Sequence, residues 1–303
     1  MENVAEEIAE LKKKRRAILL AHVYQPEKIQ EIADFRGDSF ALSRKAAETE
    51  AEVIVFCGVR FMAETANILS PDKITLLPAA DAGCRMFDDA IVSGVERLRQ
   101  EKPDAAIVSY VNTPAAVKAM SDICCTSSNV VQVIDSLPAE REIIFVPDAN
   151  LASYAAEKSG RKLTAWPGGC PIHAQLTPAA MEEIRSRYPD VPVLMHPECC
   201  ASVRAYADFV GSTMGIIRYA QESEGREFVI ATEGGVLYEL QERCPEKVFH
   251  LASRKMLCVN MKKTSLEKVR NALQMMAPRV VVPEAVRDRA RTALLKMLEI
   301  TGR

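Results

Sequence analysis

Ala17-Ile18-Leu19-Leu20-Ala21-His22-Val23-Tyr24 is an apolar run that stops on a histidine, with a tyrosine two residues later. The same phrase returns twice. Ala105–Ser109 leads into Tyr110 and Asn112, and Val191–Met195 leads into His196 and Glu198. His22 precedes Tyr110 by 88 residues, and Tyr110 precedes His196 by 86. Asp34, Asp122 and Asp208 repeat at the same two offsets. So do three small or hydroxyl-bearing turns: Gly37-Asp38-Ser39, Cys125-Thr126-Ser127 and Gly211-Ser212-Thr213. Late in each unit come Lys73-Ile74-Thr75, Lys162-Leu163-Thr164 and Lys247-Val248-Phe249, and each unit closes on a cysteine, Cys84, Cys170 or Cys258.

Five matched sets at one offset mark a triplication, and the period is too long for a solenoid. Within each unit β-branched runs (Val53–Phe56, Ile143–Val146, Phe228–Ala231) alternate with helical patterns (Ala63–Leu69, Leu151–Ser159, Leu237–Arg243). Alternating elements of this kind build parallel sheets covered on both faces. The expected fold is therefore α/β: three similar αβα domains with parallel sheets, related by a pseudo-threefold axis, with the active site at the centre. The expected boundaries are 1–83 joined by 259–303, then 84–169, then 170–258. The tail 264–303 is helical in pattern and is expected to pack back on the first unit.

The composition narrows the functional classes. Among 303 residues, 39 Lys and Arg against 41 Asp and Glu leave a net charge of −2. Nucleic-acid binders carry a basic surplus, and none is present. Hydrophobic residues at 48% and charged residues at 26% describe a globular chain. No apolar run approaches the roughly 18 residues of a membrane span, and a cytoplasmic protein is expected. Nine cysteines, an odd number, argue against a disulfide framework and favour thiols used as ligands or as core residues.

Cys84, Cys170 and Cys258 occupy the same place in their repeats, so the pseudo-threefold axis would draw them together. A single cysteine is usually a core residue; three at matched positions suit a metal centre. A 4Fe–4S cluster normally takes four cysteines, so three would leave one iron open as a Lewis acid. Zinc with three cysteines and one open position is the lower-ranked alternative. Cys57, Cys124, Cys125, Cys199, Cys200 and Cys244 have no threefold partners and are read as structural. His250 is read the same way, and His173 is either a neighbour of the metal centre or a helix-start residue.

Ligands of open α/β sheets bind beyond the carboxyl ends of the strands. The polar residues at these ends, His22 and Tyr24, Tyr110 and Asn112, His196 and Glu198, should face the same axis as the thiols. The turns at Ser39, Ser127 and Ser212-Thr213 precede helices, where hydroxyls and backbone N–H groups can hold a phosphate or dicarboxylate. No glycine-rich nucleotide loop and no nucleophile elbow is present.

The chain resembles the quinolinate synthase family. The matching stretches include Ala21-His22-Val23-Tyr24-Gln25, Asp34-Phe35-Arg36-Gly37-Asp38-Ser39, Ser109-Tyr110-Val111-Asn112-Thr113, Pro147-Asp148-Ala149-Asn150-Leu151, Trp166-Pro167-Gly168-Gly169-Cys170, His196-Pro197-Glu198-Cys199 and Met256-Leu257-Cys258-Val259-Asn260-Met261-Lys262. The resemblance implies condensation of iminoaspartate with dihydroxyacetone phosphate to quinolinate, phosphate and two waters, in NAD biosynthesis. It implies a 4Fe–4S cluster on Cys84, Cys170 and Cys258. Substrate contacts would be His22, Ser39, Tyr110, Asn112, Ser127, His196, Glu198 and Thr213, with Ser212 beside them, and Tyr24 matches a mobile tyrosine of the family. Glu198 and Tyr24 would serve as base and acid, assisted by His22 and His196. The implied partners are these small molecules, an L-aspartate oxidase or dehydrogenase that supplies iminoaspartate, and neither nucleic acid nor membrane. Some members carry a Cys-x-x-Cys-x-x-Cys tail; only Cys258 stands there here. Two other classes fit the residues alone: another iron–sulfur hydro-lyase, and a non-catalytic iron–sulfur sensor.

Overall fold

The computed structural model describes residues 2–301; residues 1, 302 and 303, the outer ends of the expected first domain and tail, lie outside the described residues. The first unit runs α1 (Glu2–Arg15), β1 (Ala17–His22), α2 (Glu27–Glu31), β2 (Phe35–Gly37), α3 (Ser39–Glu48), β3 (Val53–Cys57), α4 (Arg60–Leu69) and β4 (Ile74–Leu76). The second runs α5 (Ala90–Glu101), β5 (Ala106–Tyr110), α6 (Ala115–Lys118), β6 (Ile123–Cys125), α7 (Val130–Asp135), β7 (Ile143–Val146), α8 (Ala149–Ser159) and β8 (Leu163–Ala165). The third runs α9 (Pro171–Ala174), α10 (Pro178–Arg187), β9 (Val193–Met195), α11 (Ala201–Arg204), β10 (Phe209–Val210), α12 (Thr213–Glu222), β11 (Glu227–Ala231), α13 (Val236–Arg243) and β12 (Val248–Leu251). The tail forms α14 (Leu266–Met275) and α15 (Glu284–Thr301).

Each unit holds one four-stranded parallel sheet, and the strand orders β2-β1-β3-β4, β6-β5-β7-β8 and β10-β9-β11-β12 are one order repeated three times. The triplication read from the sequence is thus a triplication of the fold. The inner strands are apolar without alternation: β3 reads Val-Ile-Val-Phe-Cys and is buried throughout, as is β7. Such runs are what a parallel sheet covered by helices on both faces requires. A continuous apolar core joins the three sheets; Phe56, Phe145 and Phe228, one from each unit, lie in it fully buried.

The repeated aspartates hold the sheets at the ends away from the strand-end histidines. Asp34 accepts the Leu19 N–H at 2.7 Å and pairs with Lys12 at 2.6 Å. Asp122 accepts the Ile107 N–H at 2.9 Å and pairs with Arg99 at 2.5 Å. Asp208 accepts the Val193 N–H at 2.7 Å and pairs with Arg185 at 2.6 Å. In each unit one carboxylate ties the leading helix to the first strand.

The tail divides its contacts. From α14, Val269 and Leu273 join Val55 and Leu76 over one face of the first sheet, where α1 also packs. The longer α15 lies against α6, β6 and α7 of the second unit and α4 of the first, with Ala290, Leu294 and Met297 buried in the central core. No helix among the described residues is long and apolar enough to cross a membrane.

Candidate active site

The carboxyl ends of the three sheets meet around a cavity of about 310 Å³. Cys84, Cys170 and Cys258 line it, with His22, Tyr24, Ser39, Tyr110, Asn112, Ser127, His196, Glu198 and Thr213. Ser212 lies outside the lining. It is the N-cap of α12, and its hydroxyl accepts the Gly215 N–H at 3.1 Å. Likewise Asp38 caps α3 through the Ala41 N–H at 3.0 Å. Because the preceding residue caps each helix, Ser39 and Thr213 at the first helical positions keep their hydroxyls for the cavity. Two helix N-termini with hydroxyls not spent on capping favour an anionic ligand. Arg85, exposed, is the one Lys or Arg among the described residues lining the cavity.

The cysteines sit in the loops that follow β4, β8 and β12, the fourth strand of each sheet. The thiols accept backbone N–H groups from just ahead in the chain: Cys84 from Met86, Cys170 from His173 and Ile172, Cys258 from Met261 and Asn260. Burial pushes the Cys84 thiol up to about 12 and raises Cys170 and Cys258 as well. Close approach of backbones makes this convergence feasible. A side chain at Gly168 would meet the Pro147 carbonyl oxygen at 2.5 Å and that of Met86 at 3.0 Å, so glycine lets the Cys170 loop run beside the Cys84 loop. At Gly235 it would meet the Tyr24 backbone at 2.7 Å, so glycine seats the Tyr24 turn on the third unit. There Gln25 donates to the Met261 carbonyl at 2.6 Å, and Lys262 donates to that of Tyr24. The other six cysteines are free thiols as well; Cys57, Cys124, Cys125, Cys199 and Cys244 are buried away from the lining, and Cys200 precedes α11.

The strand-end histidines share one arrangement. Nδ1 of His22 accepts the Tyr24 N–H at 3.1 Å, and Nδ1 of His196 accepts the Glu198 N–H at 3.3 Å. Each ring is thereby fixed with its proton on Nε2. Burial lowers both to about 3, with Lys262 adding to the effect at His22. At neutral pH they are uncharged N–H donors.

Glu198 is 3% exposed, and its Oε2 lies 2.7 Å from Nδ1 of His173. The carboxylate stands off the ring's N–H line, so this close contact is not an aligned hydrogen bond. Burial would raise the Glu198 carboxyl, but His196, His173 and the Tyr110 hydroxyl outweigh it and hold the group low. Tyr110 also shares a hydrogen bond with Ser127. From the far side, the Tyr24 hydroxyl meets Thr213 at 2.6 Å and Thr232 at 2.7 Å, and Thr232 meets Nε2 of His173 at 2.9 Å. A polar chain thus runs from Tyr24 through Thr232 and His173 to Glu198. Burial raises the Tyr24 and Tyr110 hydroxyls well above their ordinary value, so both stay protonated.

His173, read from the sequence as either a neighbour of the metal centre or a helix-start residue, lies in α9 and is buried at the centre, stacked on His196 with ring centroids 4.6 Å apart. Cys170, His173 and Glu198 bring one donor atom each within 4.8 Å of one another. Two further residues, Asp148 and Glu233, were not singled out by the sequence reading. Asp148 and Glu233 stand behind the cysteine loops, and burial, then the Glu198 charge, push Asp148 up to about 7. Their signal was available: each stands two residues past the third strand of its unit. His250 instead bonds Glu227 at 2.6 Å, outside the lining.

Three parallel sheets around one cavity, lined by three thiols and by donors for an anion, define a triplicated α/β protein with a central thiol-lined site. The comparisons with known proteins fit that class. The model of the "Quinolinate synthetase A protein" family matches residues 6–299. The chain is 51% identical over 294 residues to a quinolinate synthase of Desulforudis audaxviator, covering 97% of each chain. It is 49% identical over 299 residues to that of Geobacter metallireducens, covering 99% of this chain and 98% of the relative. It is 50% identical over 295 residues to that of Methanoregula boonei, covering 97% of each. The chain belongs to the quinolinate synthase family and is an enzyme.

Proposed function

We propose that the chain makes quinolinate for NAD biosynthesis, in the cytoplasm, by condensing iminoaspartate with dihydroxyacetone phosphate and releasing phosphate and two waters. An L-aspartate oxidase or dehydrogenase would supply the iminoaspartate. In class it is a condensing dehydratase of transferase type. The observation that carries the reading is the joining of three thiols and a set of anion-holding donors in one cavity. The same reading divides the chain at 84 and 170, with the 259–303 segment returning to the first domain through α14, while α15, expected there too, lies in a groove shared with the second.

The thiol set fits a 4Fe–4S cluster. The three thiols face one cavity, and each accepts backbone N–H groups, the environment in which cluster sulfurs are tuned. Cys84, Cys170 and Cys258 would hold it, and when bound it would supply one open iron as a Lewis acid.

The protein's own groups divide the remaining work. Ser39, Ser127, Thr213 and the N-termini of α3 and α12 hold carboxylate or phosphate oxygens. His22 and His196, neutral and protonated on Nε2, donate to oxygens that gain charge, where fixed donors act most strongly. Oδ1 of Asn112 is buried and unpaired among the described residues, an acceptor aimed at a substrate N–H or O–H. Glu198, ionised, takes protons as the ring forms, and Tyr24, protonated, gives them. Thr232 bonds both Tyr24 and His173, and His173 stands against Glu198, so the acid and the base are held at fixed places around one cavity.

An anaerobic assay tests this, with fresh iminoaspartate and dihydroxyacetone phosphate, quinolinate detected by mass, and iron and sulfide counted on the same sample. Quinolinate formation that is lost in air is the expected result. A full cluster without quinolinate would overturn the reaction and leave a different hydro-lyase or a sensor.

A further inference from the structure

Asp148 and Glu233 form the same local device in two units. The strand registers establish their equivalence: Ser109 faces Val146 across β5 and β7, and Met195 faces Ala231 across β9 and β11. Asp148 and Glu233 each stand two residues past those third-strand positions. In the first sheet Ala21 faces Cys57, which puts Val59 at the equivalent place.

Each carboxylate uses its two oxygens on two amides. Oδ1 of Asp148 accepts the Leu151 N–H in the first turn of α8 at 2.7 Å, and Oδ2 accepts the backbone N–H of Cys170 at 2.9 Å. Oε2 of Glu233 accepts the Gly235 N–H at the head of α13 at 2.7 Å, and Oε1 accepts the backbone N–H of Cys258 at 2.9 Å. Lys262 closes on Glu233 at 2.9 Å. The residues are 0% and 1% exposed. In the first unit Val59 offers no side-chain acceptor, and a backbone bond from the Arg60 N–H to the Ala82 carbonyl at 2.8 Å ties α4 to the Cys84 loop.

Capping alone does not require a buried anion. Ser212, Ser265 and Thr177 cap helices of this fold with a neutral hydroxyl. Taking a carboxylate out of water is costly unless every oxygen is well bonded. What the carboxylate adds is a second acceptor, and in both units that acceptor is spent on the amide of a cysteine in the central cavity. A hydroxyl cannot span the two amides.

We propose that Asp148 and Glu233 are positioning residues for the metal centre: each fixes the backbone of its own unit's cysteine ligand and places negative charge beside that thiolate. This rests on the cluster reading above. Two ligands are then clamped from behind, and Cys84 is the ligand without a carboxylate clamp. Groups that orient a metal's ligands typically change metal affinity about 10- to 100-fold when altered. Hydrogen bonds and net charge around the sulfurs set a cluster's potential.

The test uses the full chain, reconstituted anaerobically with iron and sulfide and measured at pH 8.5, so that protonation of Asp148 does not enter. Asp148→Asn and Glu233→Gln keep the size but lose the charge. Asp148→Ser keeps a cap for α8 and cannot reach Cys170, which covers the case of an unstable amide variant. Ser265→Ala removes a cap far from the cavity. Three quantities are read: loss of iron to a chelator, midpoint potential, and melting temperature without the cluster. The three carboxylate variants should lose iron about tenfold faster or more, and their potentials should move to less negative values. Ser265→Ala should melt lower with iron loss and potential unchanged. Wild-type iron loss and potential in Asp148→Asn, Asp148→Ser and Glu233→Gln would overturn the proposal. Failure of the unaltered chain to take up iron and sulfide would instead overturn the cluster reading, and the proposal with it.

Discussion

The outer and inner ends of the three sheets are built in different ways. At the outer ends the units match: Asp34, Asp122 and Asp208 each clamp a first-strand amide and a base from the leading helix. At the inner ends the corresponding positions diverge. His22, Tyr110 and His196 end the first strands, and Val59, Asp148 and Glu233 follow the third. Each unit faces the same folding problem at its rim, so one solution recurs. At the centre the three units line a single cavity, and each presents a different corner to it. Strict repetition therefore marks structure here, and broken repetition marks the site; the cysteines are the exception, as ligands to one symmetric group would be.

The largest effects should come from the centre. Cys258→Ser is expected to abolish cluster assembly, read as iron and sulfide per chain; full retention would break the three-cysteine assignment. Glu198→Gln should keep iron and fold but lose turnover by about a hundredfold to ten-thousandfold, the usual scale for a general base. Near-normal turnover would remove Glu198 from that role. The rim should behave in the opposite way. Asp122→Ala should cost about 1–3 kcal/mol in urea unfolding, because it strips partners from charged and backbone donors, and should leave kcat unchanged; a fall in kcat would erase the distinction.

Acid should separate the two regions as well. In the cluster-free chain burial holds His22 and His196 at about 3, below the ordinary 6.5. Groups lowered in this way add stability above pH 6.5 that is lost as the pH falls toward 3. At Asp122 burial works against ionisation, but Arg99, the Ile107 amide and Arg141 outweigh it and hold the carboxyl below 3.8. Its contribution persists until the pH falls below that value. Unfolding free energy should thus decline between pH 6.5 and 4.5, and a His22→Gln, His196→Gln double variant should flatten the decline. The smallest effect is expected at Ser212→Ala: about 1 kcal/mol for the lost cap, with kcat retained.

Much of this was legible in the sequence, because strands buried on both faces carry uninterrupted apolar runs and a repeat exposes equivalent positions. The three sheets, the central cysteines and the strand-end ring could be read that way. Ser212 could not be told from Thr213, since one residue decides whether a hydroxyl caps the helix or faces the cavity. His173 had no counterpart in the other units, and its neighbours Thr232 and Glu198 come from separate strand ends. The path of α15 was not readable either: its apolar positions suit a groove shared by two units as well as one face of the first.

The returning tail has a consequence for biosynthesis. The third unit is built from consecutive elements and can close as it leaves the ribosome, whereas the second still lacks α15 over α6 and β6. The first cannot. Val55 and Leu76 are buried partly by Val269 and Leu273 of α14, which follow the other two units in the chain. The first sheet is therefore completed only after both other units have been made, and until then its apolar face is shielded by α1 and α2 without α14.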